Sequence, residues 1–380
     1  MLMIVKGQCR ILRVTISTCQ YQHRIISNKE TIRDLLKIEH SITMSTATIT
    51  RRRQKYGITA SGSTTRSMPT TEKRQLVLDQ MAKHPSRGIG PQRIKEGIAA
   101  DTDIQITRDY ISEEMHLLDL AGFTRRHPTS KKKHHAALVV LGPDHEWSCN
   151  GHNKLSGISF PIWGIWDVWS GKWLGLWVVP NNCLKVIVAY LYLSLVKQPG
   201  GMPIQTTMDR GSETGSLYAF ANAFCEEFSP DLPVTALPAH RFLPSIANTT
   251  IEHGWLRFRL EWGDDVHVFW EAGQDVYDEM DERHDNLVKW LWPKLIQQEL
   301  DKLHDSLNNH KPHKVPSKLS LSGVVPDILY TLYENYGASH GMELIDAELV
   351  PRLVVYEAIG APVLTFHNVW DGFAQMLPLL

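Results

Sequence analysis

Apolar residues recur at helical spacing between residues 71 and 122, then crowd into short runs broken by glycine and proline from residue 136 onward. Leu76, Val77 and Met81 share one face of a predicted helix that ends near His84-Pro85. Gly90-Pro91 opens a second helix, proline suiting its first turn, with Ile94 and Ile98 four residues apart. A connection from Asp101 to Ile106 leads to Thr107, a predicted N-cap, and to a third helix with Ile111, Met115 and Leu118 on one face. Residues 1–45 show no clear period, and Met44 opens a more typical sequence, so the stretch before it reads as an appendage or as a misjudged start. Residues 45–70, rich in Ser, Thr and Arg, read as a disordered basic arm. The segment 1–70 is therefore expected to be poorly ordered.

Beyond residue 136 the pattern is that of an α/β domain. Gly142-Pro143-Asp144 predicts a turn, and Trp147–Gly151 a short strand. Phe160–Val168 and Lys172–Val179 predict two strands joined as a hairpin through Trp169-Ser170-Gly171. Six tryptophans (Trp147, Trp163, Trp166, Trp169, Trp173, Trp177) are expected to pack the core and the sheet faces. Leu184–Leu195, apolar almost all round, predicts a buried helix ended by Pro199-Gly200-Gly201. Met202–Met208 predicts a strand that delivers Asp209, followed at once by a turn with Gly211. Ligands of open α/β sheets sit at such strand ends. Residues 248–259 predict a helix capped by Asn248 or Thr249, with Glu252, Trp255, Leu256 and Arg259 on one face. Trp290–His310 is amphipathic through Leu300, Leu303 and Leu307. Val324–Tyr336 and Glu343–Tyr356 predict helical or mixed segments without identifiable chemistry.

Charge changes this picture more than composition does. The net charge is −1, yet between Arg51 and His135 there are 17 Lys and Arg against 9 Asp and Glu. A basic front joined to an acidic rear suggests a nucleic-acid-facing segment before a self-contained body. The three predicted helices resemble a helix-turn-helix, which makes Arg108 and Tyr110 candidates to approach a groove. The basic linker Arg125, Arg126, Lys131, Lys132, Lys133, His134 and His135 supplies mobile cations for phosphates. Residues 261–285 hold ten Asp and Glu against one Arg, a surface expected to face away from DNA. The five cysteines show no CxxC spacing, which fits a reducing compartment and signals neither disulfides nor a cysteine zinc site. Membrane-spanning and secretory segments are not expected, the first twenty residues being interrupted by Lys6, Gln8, Arg10 and Arg13.

Five stretches together carry a resemblance. They are Trp147–Leu155 (WSCNGHNKL), Gly164–Asn182 (GIWDVWSGKWLGLWVVPNN), Gly200–Thr214 (GGMPIQTTMDRGSET), Ile251–Arg259 (IEHGWLRFR) and Trp290–Leu300 (WLWPKLIQQEL). This set resembles the integrase catalytic core of retroviral integrases and DDE transposases, most closely the transposable-element-derived integrase-core proteins of mushroom-forming fungi. The likeness covers roughly residues 135–310. It implies a ribonuclease-H-like α/β fold: a mixed five-stranded sheet with flanking helices over residues 136–310, preceded by the helical, helix-turn-helix-like region 71–135 and followed by an extension, 311–380. It also implies DNA as partner, no membrane, a nuclear location, room for self-association, and DNA contacts extended to Arg257 and Arg259.

The family's chemistry is polynucleotidyl transfer, in-line displacement at a phosphodiester assisted by two Mg²⁺ (or Mn²⁺) ions held by hard oxygen ligands. Three acids share that work, one from the first strand, one from the strand ending at Asp209 and one from the later helix. Asp209 and Glu252 match the second and third catalytic and metal positions. Asn150 stands at the first, and Asn153 stands where a further aspartate is usual. An amide carries no charge, so the resemblance implies an impaired site. Asp167 also matches a common family acid, and it or Asp144 is a candidate to substitute for the missing carboxylate, though Asp144 lies in the wrong segment and Asp167 is expected rather to orient a neighbour. His152 and His253 are expected to be structural. The other reading is a non-catalytic DNA-binding or scaffold protein that keeps the fold alone.

Overall fold

The computed structural model describes residues 26, 28–84, 88–119, 140–152, 160–181, 183–209, 211, 214–232, 237–243, 249–272, 277–314 and 321–345. They divide into two compact units. One takes the described residues of Met1–Leu138, Gly254–Trp292 and Asp301–Gly337; the other those of Val139–His253, Pro293–Leu300 and Ala338–Leu380. The expected segments 136–310 and 311–380 are thus each shared between the two units.

The first unit is helical. It contains α1 (Lys29–His40), α2 (Thr46–Lys55), α3 (Ser61–Ser67), α4 (Thr70–Ala82), α5 (Pro91–Thr102) and α6 (Arg108–Leu118). Residues 29–67, expected to be irregular, are therefore largely helical. The physical reason is capping plus a small apolar cluster. Asn28 and Ser45 accept hydrogen bonds from the Thr31 and Thr48 amides at the two helix starts. Ile32, Leu35, Leu36, Ile42 and Ile49 are buried together with Leu332. Ile26 and the described residues 28–43 thus contribute to this cluster; residues 1–25 lie outside the described residues. Helices α4 to α6 stand where periodicity places them, packed through Val77, Ile94, Ile98, Ile106, Ile111 and Met115. Leu118, assigned to the buried face, is exposed at the last turn.

A buried ionic knot ties this unit together. The Arg93 guanidinium lies 3.3 Å from Glu96 and 2.9 Å from Glu261, and donates to the Ser306 carbonyl at 2.9 Å. Glu96 also meets His310 Nδ1 at 2.9 Å and accepts from Gln92 at 2.9 Å. Burial by itself would raise the Glu96 pKa; the His310 hydrogen bond and the nearby charges outweigh it and hold the carboxyl below its usual value.

The second unit is built on a five-stranded mixed sheet. Its strands are β1 (Glu146–His152), β2 (Ile162–Asp167), β3 (Trp173–Val178), then, past α7 (Lys185–Lys197) and the short β4 (Gly201–Pro203), β5 (Gln205–Asp209), and past α8 (Gly215–Phe228), β6 (His240–Leu243). The order is β3-β2-β1-β5-β6, with β1, β2 and β3 antiparallel neighbours and β1, β5 and β6 parallel ones. Parallel neighbours need crossover connections, which α7 and α8 supply. Trp147, Cys149 and Met208 pack on α7 through Val188, Leu191, Tyr192 and Leu195, and on α8 through Leu217, Ala221 and Phe224. The expected strand 202–208 is split at Ile204. Gly201–Pro203 pairs instead with β7 (Met342–Leu344), beyond α9 (Thr249–Phe258), α10 (Asp264–Glu271), α11 (Glu282–Asn309) and α12 (Pro326–Thr331). Of the segment expected at 343–356, residues past Ile345 lie outside the described residues.

Edge strand β3 is covered by side-chain chemistry. Gln297, within the Pro293–Leu300 part of α11, accepts from the Val178 amide at 3.0 Å and donates to the Leu176 carbonyl at 3.2 Å. Its amide thus mimics a neighbouring strand and blunts an edge open to mispairing. At the other edge His240 is buried, and its Nδ1 lies 2.7 Å from Thr206 Oγ1, which itself donates to the Ala239 carbonyl. The charged ring would carry a proton on Nε2, which has no hydrogen-bond partner, so protonation would bury an unpartnered cation. Burial accordingly pushes the His240 pKa down to about 4. Because the unfolded value is higher, stability is expected to fall as pH drops from about 6.5 to 4, by up to about 3 kcal/mol. His240→Asn, whose amide can hydrogen-bond Thr206 in place of Nδ1, should flatten that slope in pH-dependent denaturation. An unchanged slope would show that other groups carry it.

No helix among the described residues is long and apolar enough to cross a membrane.

Candidate functional site

The alternation along β1 sets up the site. Trp147 and Cys149 enter the core, so Glu146, Ser148 and Asn150 line the opposite face. On β5, Met208 enters the core and Thr207 and Asp209 share that polar face. The parallel register pairs Trp147 with Thr206 and Ser148 with Thr207; two further residues bring Asn150 level with Asp209. Neighbouring strands lie about 4.8 Å apart, so the two side chains stand side by side at the strand ends. Glu252, in the first turn of α9, completes the group: Asn150 Nδ2 donates to Glu252 Oε1 at 3.2 Å. Asn150 is buried, Asp209 half-buried and Glu252 exposed. Asn150 and Glu252 are thus in contact, and the register sets Asp209 on the strand next to Asn150.

Their chemistry differs from that of three carboxylates. Two carboxylates at this separation would repel unless a cation lay between them. Asn150 removes the repulsion with an N–H donor, and the strand–helix contact closes by a neutral-to-charged hydrogen bond. The amide that satisfies Glu252 turns its nitrogen, not its oxygen, toward the carboxylate. That donor set, Asp209 and Glu252 with an N–H where a third anionic oxygen would be needed, does not fit a pair of divalent ions. Among the described residues no three His, Cys, Asp or Glu side chains form a metal-holding group.

Among the described residues neither Asp167 nor Asp144 fills the gap. Asp167 ends β2 opposite Trp147, three ladder steps from the Asn150 level. It is fully buried and accepts from Ser170 N at 2.7 Å, Ser170 Oγ at 2.6 Å and the Asp144 amide at 2.8 Å. Burial pushes its pKa up to about 7, against the Ser170 hydrogen bonds. Asp144, also buried, accepts from Trp147 Nε1 at 2.7 Å and lies 3.1 Å from His340 Nε2. Both acids brace the turn entering β1 and the hairpin leaving β2. Glu146, which sequence reasoning passed over, is a further acid on the polar face of β1. It accepts from Thr207 Oγ1 at 2.9 Å and lies 3.4 Å from Arg241. Its signal was the period-two run Glu146, Ser148, Asn150.

The expected DNA contacts fare unevenly. Arg108 is exposed at the start of α6, beside exposed Asp109. Arg257 pairs with Glu261 at 3.2 Å, and Arg259 lies 4.0 Å from Asp264. Arg125, Arg126, Lys131, Lys132 and Lys133 lie outside the described residues, as does Asn153. His152 is buried on β1 and His253 exposed on α9.

No family model matches the chain, and no curated protein matches it. Its own coordinates describe an α/β protein with a five-stranded mixed sheet and flanking helices, compatible with a ribonuclease-H-like fold.

Proposed function

We propose that this chain is a DNA-binding protein of the integrase-core kind, derived from a transposable element, whose polynucleotidyl-transfer site has lost its first acid and with it the two-ion chemistry. The observation that carries the reading is the Asn150–Glu252 hydrogen bond between β1 and the start of α9, with β5, which ends in Asp209, paired beside β1. Those are the positions the resembling family uses for its Mg²⁺ or Mn²⁺ ligands. The Asn150–Glu252 hydrogen bond favours a fold kept for binding over a working nuclease, because it supplies internally the attraction that a cation would otherwise provide. A nuclear location and DNA as partner follow from the same reading.

The test is divalent-metal-dependent cleavage of duplex DNA by the purified full chain. The expected result is binding without cleavage, in Mg²⁺ and in Mn²⁺ alike. Cleavage that disappears in Asp209→Ala and Glu252→Ala would overturn the loss of activity while keeping the site. Cleavage that survives both substitutions would remove the site itself.

A further inference from the structure

We infer that α2 is the helix that enters a DNA groove, and that α1 and α2 form a helix-turn-helix distinct from the one expected at α4 to α6; this rests on the DNA-binding part of the reading above. Three observations carry it.

The first is the joint between the helices. Helix α1 ends with Ser41 in the left-handed conformation, φ 55°, and the Ile42 amide returns to the Leu36 carbonyl at 2.9 Å. The Ser41 amide also turns to the Leu36 carbonyl, a six-to-one closure, and with Ile42 buried in the same cluster as Leu36 it stops α1 sharply. Ser45 then caps α2, its Oγ accepting from the Thr48 amide at 3.2 Å. A short turn with a fixed exit and a fixed entry is the joint that presents a second helix to the major groove.

The second is the outward face of α2. Ile49 faces the apolar cluster, while Ala47, Arg51, Gln54 and Lys55 are exposed at i, i+4, i+7 and i+8. The amino-terminal half carries only small side chains, Thr46, Ala47 and Thr48, so its backbone can approach base edges closely. Threonine hydroxyls and an alanine methyl suit such edges. The carboxy-terminal half carries the cations, where phosphates flank the groove.

The third is charge. Residues 41–71 contain Arg51, Arg52, Arg53, Lys55 and Arg66 and no Asp or Glu. By contrast, the exposed face of α6 carries Arg108, Asp109, Glu113, His116 and Leu117, with more acid than base when the histidine is neutral. A polyanion is attracted to the first surface and not to the second.

The experiment uses the full chain and a random-sequence 30-base-pair duplex, followed by fluorescence anisotropy across a salt series. Arg51→Ala/Lys55→Ala is expected to weaken binding about tenfold or more, and to lower the slope of log affinity against log salt by roughly 2, one for each phosphate no longer neutralised. Both residues are exposed, so an unchanged melting curve confirms that the fold is intact. Ala47→Glu, which adds no bulk to the core but places a carboxylate at the groove-facing end, should weaken binding as strongly. Arg108→Ala should leave affinity within twofold. Unchanged affinity and slope in the double variant, or an equal loss in Arg108→Ala, would overturn the assignment. So would tighter binding to anionic phosphatidylserine vesicles than to duplex at the same salt. The cleavage assay reads the core site and the anisotropy series reads α2, so a failure at the core site and a failure at α2 give different results.

Discussion

Asn150→Asp is expected to make the protein's stability depend on a divalent cation. Without metal the substitution replaces the donor on Glu252 with a second carboxylate at about the same separation. The lost charge-assisted hydrogen bond alone is worth about 2 kcal/mol, and repulsion adds to it. With Mn²⁺ present, three anionic ligands could share an ion. Saturation at a hundred times the dissociation constant returns about 2.7 kcal/mol. The two effects have opposite signs, so denaturation midpoints with and without Mn²⁺ should diverge in Asn150→Asp and stay together in the parent. Adding Glu252→Gln should close the gap again. A variant that melts identically with and without Mn²⁺ would mean that these side chains, although adjacent, are not oriented to share a cation, and the ancestry read into them would lose its physical support.

Arg93→Met is expected to destabilise the helical unit by about 3–5 kcal/mol. The guanidinium holds Glu96 and Glu261 while donating to the Ser306 carbonyl, and all three groups are poorly hydrated. Removing it takes the shared cation from two poorly hydrated carboxylates and leaves Glu96 to His310 and Gln92 and Glu261 to Arg257. Glu96→Gln in the same background should recover part of the loss, since it removes one of the two charges. The pH dependence has a definite sign. The folded Glu96 pKa is lowered, so its contribution is fully present above the ordinary glutamate value near 4.3 and drains away as pH falls through the lower, folded value. Chemical denaturation of Arg93→Met at pH 7 decides the matter; a loss under about 1 kcal/mol would mean the knot is solvated and unimportant.

How far the chain could be read depended on which interactions were local. The i, i+4 pairs Ile94/Ile98 and Ile111/Met115 predicted helices that the structure contains, because a single buried face suffices to mark them. The run Trp147–Gly151 likewise marked a strand, which the structure extends to Glu146–His152. Residues 45–70 misled because Ser and Thr were read as loop formers; Ser45 instead caps a helix whose anchor, Ile49, packs on partners up to Leu332. Strand β6 escaped notice because its four residues, His240 to Leu243, have no apolar alternation and are held by pairing with β5. The group at Asn150 was legible as three separate segments. Its hydrogen bond was not, since it depends on the register that sets β1 beside β5 and on the placement of α9.

The short β7 strand has a consequence for how the molecule is made. Its residues pair with β4, the Gly341 amide donates to the Pro143 carbonyl, and a Cβ at Gly341 would press on the His145 backbone at 2.7 Å. Leu332 plays a similar closing part for α1 and α2. A chain emerging from the ribosome therefore cannot complete either unit until well past residue 330. The turn into β1 and the α1–α2 joint, both early in sequence, wait for partners about 200 to 300 residues downstream. Contacts this distant in sequence make co-translational folding slow, and a nascent chain stalled short of residue 345 would present unfinished surfaces to chaperones and proteases.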